Sequence, residues 1–224
     1  MMAETPPPAS PKMTKAQIDG FFATLTAANP DPKTELEYSS AYTLLVAVVL
    51  SAQATDVSVN KATRGLFAAA DTPAKMVALG EEGIRHHIKT IGLFNAKAKN
   101  VLALSQILID RFKGEVPARR EDLEALPGVG RKTANVVGIV AFGKRAMPVD
   151  THVFRVADRL GLSTGAKTPL QTEMQLTEGF PPEVLPLAHH WLILHGRYVC
   201  TARKPRCDEC IVRELCDTGA RSVL

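Results

Sequence analysis

The sequence predicts an all-α fold, and three observations carry that expectation. Apolar residues recur at helical spacing through most of the 224-residue chain, as at Leu44, Leu45, Val48 and Val49. Period-2 alternation with paired turn signals is missing; the β-branched Val136, Val137, Ile139 and Val140 sit in a helical pattern instead. Glycines punctuate the periodic segments at or near their junctions, at Gly80, Gly92, Gly114 and Gly128.

Taken in order, Thr14-Lys-Ala-Gln17 resembles a capping box, opening a helix with Phe21, Phe22 and Leu25 on one face. The run Asn29-Pro30-Asp31-Pro32 stops it. Ser40 precedes Ala41 to Ser51, which is apolar nearly all round and so predicts a buried central helix. Further helices are expected over about 56–69, 73–79, 81–90, 95–113, 120–125 and 131–142, then 151–160, 168–178 and 183–200. No fixed-period repeat and no Pro/Gly/Ser-rich linker is present, so a second lobe would have to be intimately packed.

Composition excludes several classes. Hydrophobic residues make up 46% and charged residues 22%, enough for a sizeable core and against wholesale disorder. The 15 glycines and 15 prolines are too few for a collagen-like or low-complexity chain. The longest apolar run, Leu44 to Leu50, is far shorter than the ~20 residues that span a bilayer, so no membrane role is expected. The start, MMAETPPPASPK, lacks the apolar stretch of a signal peptide and the Arg-rich helix of a transit peptide. It reads as a flexible tail over 1–13, and the chain is expected to stay in a reducing cytoplasm.

A net charge of +4 does not by itself establish a nucleic-acid partner. Its distribution says more. Leu126 to Met147 holds Arg131, Lys132, Lys144 and Arg145 without an acid, and Arg197 to Arg206 holds Arg197, Arg203, Lys204 and Arg206 without one. Two acid-free basic segments suit a phosphate-facing surface, though solvated faces would read the same way.

All four cysteines, Cys200, Cys207, Cys210 and Cys216, lie within 17 residues in the spacing C-x6-C-x2-C-x5-C. Two disulfides in so short a cytosolic segment are disfavoured. Four thiolates closing one loop suit a tetrahedral zinc or an iron–sulfur cluster, and spacing alone leaves both open. Either would fold Thr201 to Arg206 into a rigid basic finger that is lost without metal.

In LPGVGRKTA (126–134), Pro127 and the glycines stop the preceding helix. Gly128 and Gly130 can take positive φ and admit another backbone. The hairpin amides and the start of the next helix would then form an anion site fit for one DNA phosphate, with no base reading. A simple αα-corner is the alternative for a generic turn of this kind.

The full string resembles the helix–hairpin–helix of the endonuclease III family of DNA base-excision glycosylases. Further matching stretches are LSAQATD (50–56), GLFNAK (92–97), PVDTHV (148–153) and LHGRY (194–198), and the resemblance covers roughly residues 14–218. The cysteine spacing resembles that of the family's [4Fe–4S] cluster, one per chain. The resemblance implies a two-lobed helix–hairpin–helix glycosylase fold. A six-helix barrel lobe would span 34–144, and residues 14–33 and 145–224 would form the cluster lobe, with DNA across the cleft between them.

It also implies roles. Lys132 would attack C1′ of the damaged nucleotide and Asp150 would assist it. Gln53 would pair with the orphaned base, Leu93 would wedge into the stack, and His152 would lie close to the lesion strand. Gly128, Gly130, Arg131, Arg203, Lys204 and Arg206 are expected on phosphates. The residue types agree: an amine can displace a base and form an imine with the sugar, which an alcohol or carboxylate cannot. The start of a helix and the neighbouring Arg131 both disfavour the ammonium of Lys132. Asp150 before Thr151 also reads as a helix cap, and the two roles are compatible. His86, His87, His189, His190 and His195 read as core or surface histidines.

The expected protein is therefore a bacterial, cytoplasmic monomer. It would be a bifunctional glycosylase and abasic-site lyase acting on oxidised or ring-saturated pyrimidines in duplex DNA. A sibling that excises adenine from mispairs would usually lack the lysine and carry a further C-terminal domain, against Lys132 and the end at Leu224. A non-enzymatic cluster-bearing DNA-binding or electron-transfer protein would leave the Lys132/Asp150 pair unexplained.

Overall fold

Thr14 caps the first helix, α1 (Lys15–Ala28), with the reciprocal bonds of a capping box to Gln17. The computed structural model describes residues 13–218, so the tail expected over 1–13 lies outside the described residues apart from Met13. Every regular element among the described residues is helical. The remaining helices are α2 (Ala41–Leu50), α3 (Asp56–Ala69), α4 (Pro73–Ile88), α5 (Phe94–Phe112), α6 (Arg120–Glu124), α7 (Arg131–Phe142), α8 (Thr151–Leu160), α9 (Pro169–Gly179) and α10 (Leu185–Tyr198). Two 3-10 turns follow, Cys207–Glu209 and Arg213–Leu215.

The chain forms two compact units, Thr34–Lys144 and the described parts of Met1–Lys33 and Arg145–Leu224. In the first unit α2 is the core. Residues Tyr42 to Leu50 are all buried, and α3, α5 and α7 pack around them. Each Leu or Val withdrawn from water there contributes about 1.5–3 kcal/mol, which explains why α2 needs no polar face. The Tyr42 hydroxyl is buried against Ser105 Oγ at 2.6 Å, and Ser105 donates onward to the Val101 carbonyl at 2.6 Å. Burial pushes the Tyr42 phenol well above its ordinary range.

The expected break between 79 and 81 is a kink inside α4. Gly80 takes φ +71 and ψ 169, a conformation open to glycine, and it divides α4 into two helical segments across the kink. The buried face of α5 carries Val101, Leu104 and Leu108, but it begins with Lys97, which is only 5% exposed. The Lys97 ammonium has no hydrogen-bond partner, and burial lowers its pKa.

The second unit closes α1 over α8 to α10. Ile18, Phe21, Phe22 and Leu25 join Val153, Val156, Leu160, Trp191 and Leu192 in one core. Phe22 stacks edge-on to Phe180 at 4.7 Å, and Trp191 Nε1 donates to the Asn29 carbonyl at 2.8 Å. Buried Gly196 lets α10 approach α8: a Cβ there would stand 3.0 Å from the Cβ of His152 and 3.1 Å from Val156.

Candidate active site and cluster loop

In the Thr34–Lys144 unit, two turns carry exposed residues in the left-handed region. Gln53, in the link between α2 and α3, has φ +54 and is exposed. Leu93, the N-cap of α5, has φ +60 and is 60% exposed. Outside glycine this conformation costs roughly 1–2 kcal/mol, and among the described residues only Lys113 shares it. An exposed leucine held in a strained turn has no folding rationale; such strain gathers at functional sites.

The hairpin lies between α6 and α7. Gly128 takes φ +79, and a Cβ there would meet Asn100 Nδ2 at 3.0 Å. Gly130 differs from the positive φ its residue type allows: it is extended, φ −93 and ψ 177, because it is the N-cap of α7. A Cβ on Gly130 would find nothing within 4 Å, so the fold itself does not demand glycine there and the position is open on its outer side. No side chain caps α7 and its first turn has no acid, which is the setting in which a helix N-terminus suits an anion. Exposed Arg131 and half-buried Lys132 follow in that first turn.

In the other unit, Asp150 is the N-cap of α8. Its Oδ1 accepts from the amides of His152 at 2.9 Å and Val153 at 2.8 Å. Both cap bonds fall on one oxygen, so Oδ2 is not used in the cap. His152, half-buried, turns its Nδ1 to within 3.3 Å of the Arg155 guanidinium.

From there α8 leads to the cysteine loop. Arg155 donates to the Gly196 carbonyl at 2.9 Å and to the Cys200 carbonyl at 3.2 Å. Arg159 donates to the carbonyls of Thr201 at 2.7 Å and Ala202 at 2.8 Å, and to Cys200 Sγ at 3.5 Å. No disulfide joins the four cysteines, and all four line one cavity with Leu160, His195, Val199 and Pro205. Four unbridged thiols around a mostly apolar cavity suit an iron–sulfur cluster. Burial pushes the Cys210 thiol above its ordinary range, and burial lowers the pKa of His195, whose Nε2 lies 3.7 Å from Cys210 Sγ.

Arg203, Lys204 and Arg206 are all exposed, and Arg206 is also tied to the loop: its Nε and NH2 donate to the Tyr198 carbonyl and its NH1 pairs with Glu209 at 3.1 Å. Arg206 therefore braces the loop while its side chain stays open to solvent. Sequence reasoning missed Arg155 and Arg159, although their i, i+4 spacing on α8 marks one face. It also treated His195 as an ordinary histidine, and nothing in a single His before Gly196 signals the sulfur it faces.

Residues 46–182 match the family described as HhH-GPD superfamily base excision DNA repair protein, and residues 200–216 match the iron-sulfur binding domain of endonuclease III. The chain is 56% identical over 200 residues to endonuclease III of Rickettsia conorii, covering 89% of this chain and 95% of that one. It is 54% identical over 205 residues to endonuclease III of Escherichia coli strain K12, covering 92% and 97%. Its fold matches a trapped endonuclease III–DNA covalent intermediate with a TM-score of 0.87 and 43% identity, over 95% of this chain and all of that one. A thermostable thymine-DNA glycosylase, 24% identical, shares the fold with a TM-score of 0.80 over 92% and 98%. The chain belongs to the endonuclease III family of HhH-GPD base excision repair proteins, as a DNA glycosylase and abasic-site lyase of the [4Fe–4S] type.

Proposed function

We propose that Lys132 is the nucleophile and Asp150 its partner, in a reaction that removes oxidised or ring-saturated pyrimidines from duplex DNA. The observation that carries this is the setting of Lys132, in the first turn of a helix with no side-chain cap, behind a glycine with open space above it. A phosphate bound at those amides would bring the sugar of its nucleotide to the lysine. The related protein trapped as a covalent DNA intermediate supports the same reading.

The amine lone pair of Lys132 forms a bond to C1′ as the glycosidic bond breaks, and the base leaves with its electron pair and takes up a proton. The nitrogen loses a proton, its lone pair then expels O4′ from C1′, and O4′ takes up a proton; the sugar ring opens and the C1′ imine forms. The imine acidifies the C2′ proton, whose removal expels the 3′ phosphate by β-elimination. Asp150 supports positive charge at the sugar through the carboxylate oxygen its cap leaves over. Damaged pyrimidines that stack or pair poorly are easier to flip, Leu93 fills the gap, and Gln53 faces the orphaned base.

Cys200, Cys207, Cys210 and Cys216 would hold the cluster, which supplies the rigid fold of the loop when bound. Gly128, Gly130 and Arg131 serve phosphates, as do Arg203, Lys204 and Arg206, and His152 lies by the lesion strand. The protein works as a cytoplasmic monomer on duplex DNA; no described helix is long and apolar enough to cross a membrane.

The deciding experiment incubates the protein with abasic duplex and borohydride. A covalent adduct forms, and Lys132→Gln abolishes it together with excision and strand cleavage, while duplex binding weakens only modestly. Undiminished trapping by Lys132→Gln would move the nucleophile elsewhere.

A further inference from the structure

We propose that His195 and Arg159 donate hydrogen bonds to the cluster-ligand sulfurs of Cys210 and Cys200, and thereby set how readily the cluster gives up an electron. The inference rests on the cluster and is independent of the roles given to Lys132 and Asp150.

Both donors are in place. His195 lies in the last turn of α10, 8% exposed, with Nε2 3.7 Å from Cys210 Sγ. Arg159 lies in the last turn of α8, with NH1 3.5 Å from Cys200 Sγ. Neither is placed by chance rotation. The guanidinium of Arg159 is held by the Thr201 and Ala202 carbonyls, and the Cys200 carbonyl is held in turn by Arg155. The imidazole of His195 lines the same cavity as Leu160, Val199 and Pro205, with Arg206 and Arg213 also on its wall; the apolar side chains keep the local dielectric low and strengthen each bond.

Hydrogen bonds to cluster sulfurs are one of the levers that set a cluster's reduction potential. A donor draws negative charge off the sulfur, so it favours the more reduced, more negative state. Removing a donor favours the oxidised state. The process read is loss of one electron from the cluster to an electrode, with no bond made or broken.

The test uses the full, cluster-loaded chain bound to duplex DNA on an electrode, with iron content measured alongside. His195→Phe keeps a ring and removes the donor. Arg159→Lys keeps the positive charge and removes the fork, so its shift reports the bond and not the charge. In each variant the oxidised-to-reduced ratio at a fixed potential rises about tenfold, a shift of about 59 mV to lower potential for a one-electron couple. An unchanged or raised potential in both iron-replete variants overturns the proposal. So does loss of iron from both, which would make the two residues purely structural. A shift in one alone retains that donor and removes the other.

Discussion

A Cβ placed on Gly92 would stand 3.9 Å from the backbone carbonyl of Gln53, so the turn bearing Gln53 abuts the turn bearing Leu93. Two strained, exposed residues are thereby fixed side by side in one unit, which agrees with the roles proposed for them at a single gap in DNA.

Replacing Leu93 with glycine separates strain from function. Glycine relieves the φ of +60, and an exposed side chain gives up little packing. Relief of about 1–2 kcal/mol is partly offset by the greater unfolded-state freedom of glycine, so stability changes by between zero and about +1 kcal/mol. Excision in a single-turnover assay falls at least tenfold. A Leu93→Gly enzyme of undiminished rate would remove the leucine from the reaction.

The hairpin glycines respond differently. Gly128→Ala forces a side chain into φ +79 and against Asn100, and lowers stability by about 1–3 kcal/mol. Gly130→Ala meets open space at an ordinary φ and folds normally, but its methyl stands where a phosphate approaches. Duplex affinity of Gly130→Ala should fall with its melting temperature intact; equal affinity to the parent would place the phosphate elsewhere.

Asp150→Asn preserves the cap oxygen and changes stability by less than about 0.5 kcal/mol, whereas Asp150→Ala loses both cap bonds and about 0.5–2 kcal/mol. Turnover drops steeply in both, on the order of a hundredfold or more. Near-normal turnover in Asp150→Asn would leave the residue only its cap.

Salt dependence and cluster retention distinguish the loop residues. With about four to six phosphates neutralised, the log–log slope is roughly −4 to −5, and Arg203→Ala or Lys204→Ala each flatten it by about one. Arg206→Ala flattens it too and also releases the Tyr198 carbonyl and Glu209, so cluster retention on mild chelation falls with it. Titrations in which Arg206→Ala alters the slope alone, with full cluster retention, would leave that residue to the phosphates only.

Lys97→Met should stabilise the protein at neutral pH. The methionine fills the buried site without an unpartnered ammonium, a gain of about 1–3 kcal/mol. The sign with pH follows from the lowered pKa. The unfolded chain binds the proton more tightly, so the native penalty is full below the folded pKa and fades as pH rises toward the ordinary lysine value. Melting curves of the two proteins should converge in alkali; a gap that widens there would contradict this account.

Helix ends were legible because caps and breakers are local. Thr14, Ser40 and Asp150 each announce a helix that begins one residue later, and α3 (Asp56–Ala69) and α7 (Arg131–Phe142) run over the predicted spans. Gly80 was legible as a break for the same reason: its φ of +71 is non-helical and divides α4 where the sequence expects one helix to stop and the next to start. The bonds of Arg206 to the Tyr198 carbonyl, the sulfur facing His195 and the buried Lys97 were not legible. Each depends on how a loop folds back or on burial by other elements, and a basic side chain looks the same in sequence whether it meets a phosphate or a carbonyl.

The second unit draws on both ends of the chain, α1 from one and α8 to Cys216 from the other. On a ribosome adding about 5–20 residues per second, the Thr34–Lys144 unit is complete and free to fold while α1 still waits for its partners. Ile18, Phe21 and Phe22 must remain without their core until Trp191 and Leu192 have emerged, a delay on the order of ten to forty seconds. All four cysteines, Cys200 to Cys216, emerge only after that. Maturation is thus ordered by the path of the chain: the unit with the hairpin first, the unit with the sulfurs last, and a molecule halted between them would hold Lys132 in a folded unit before the unit that carries Asp150 had formed.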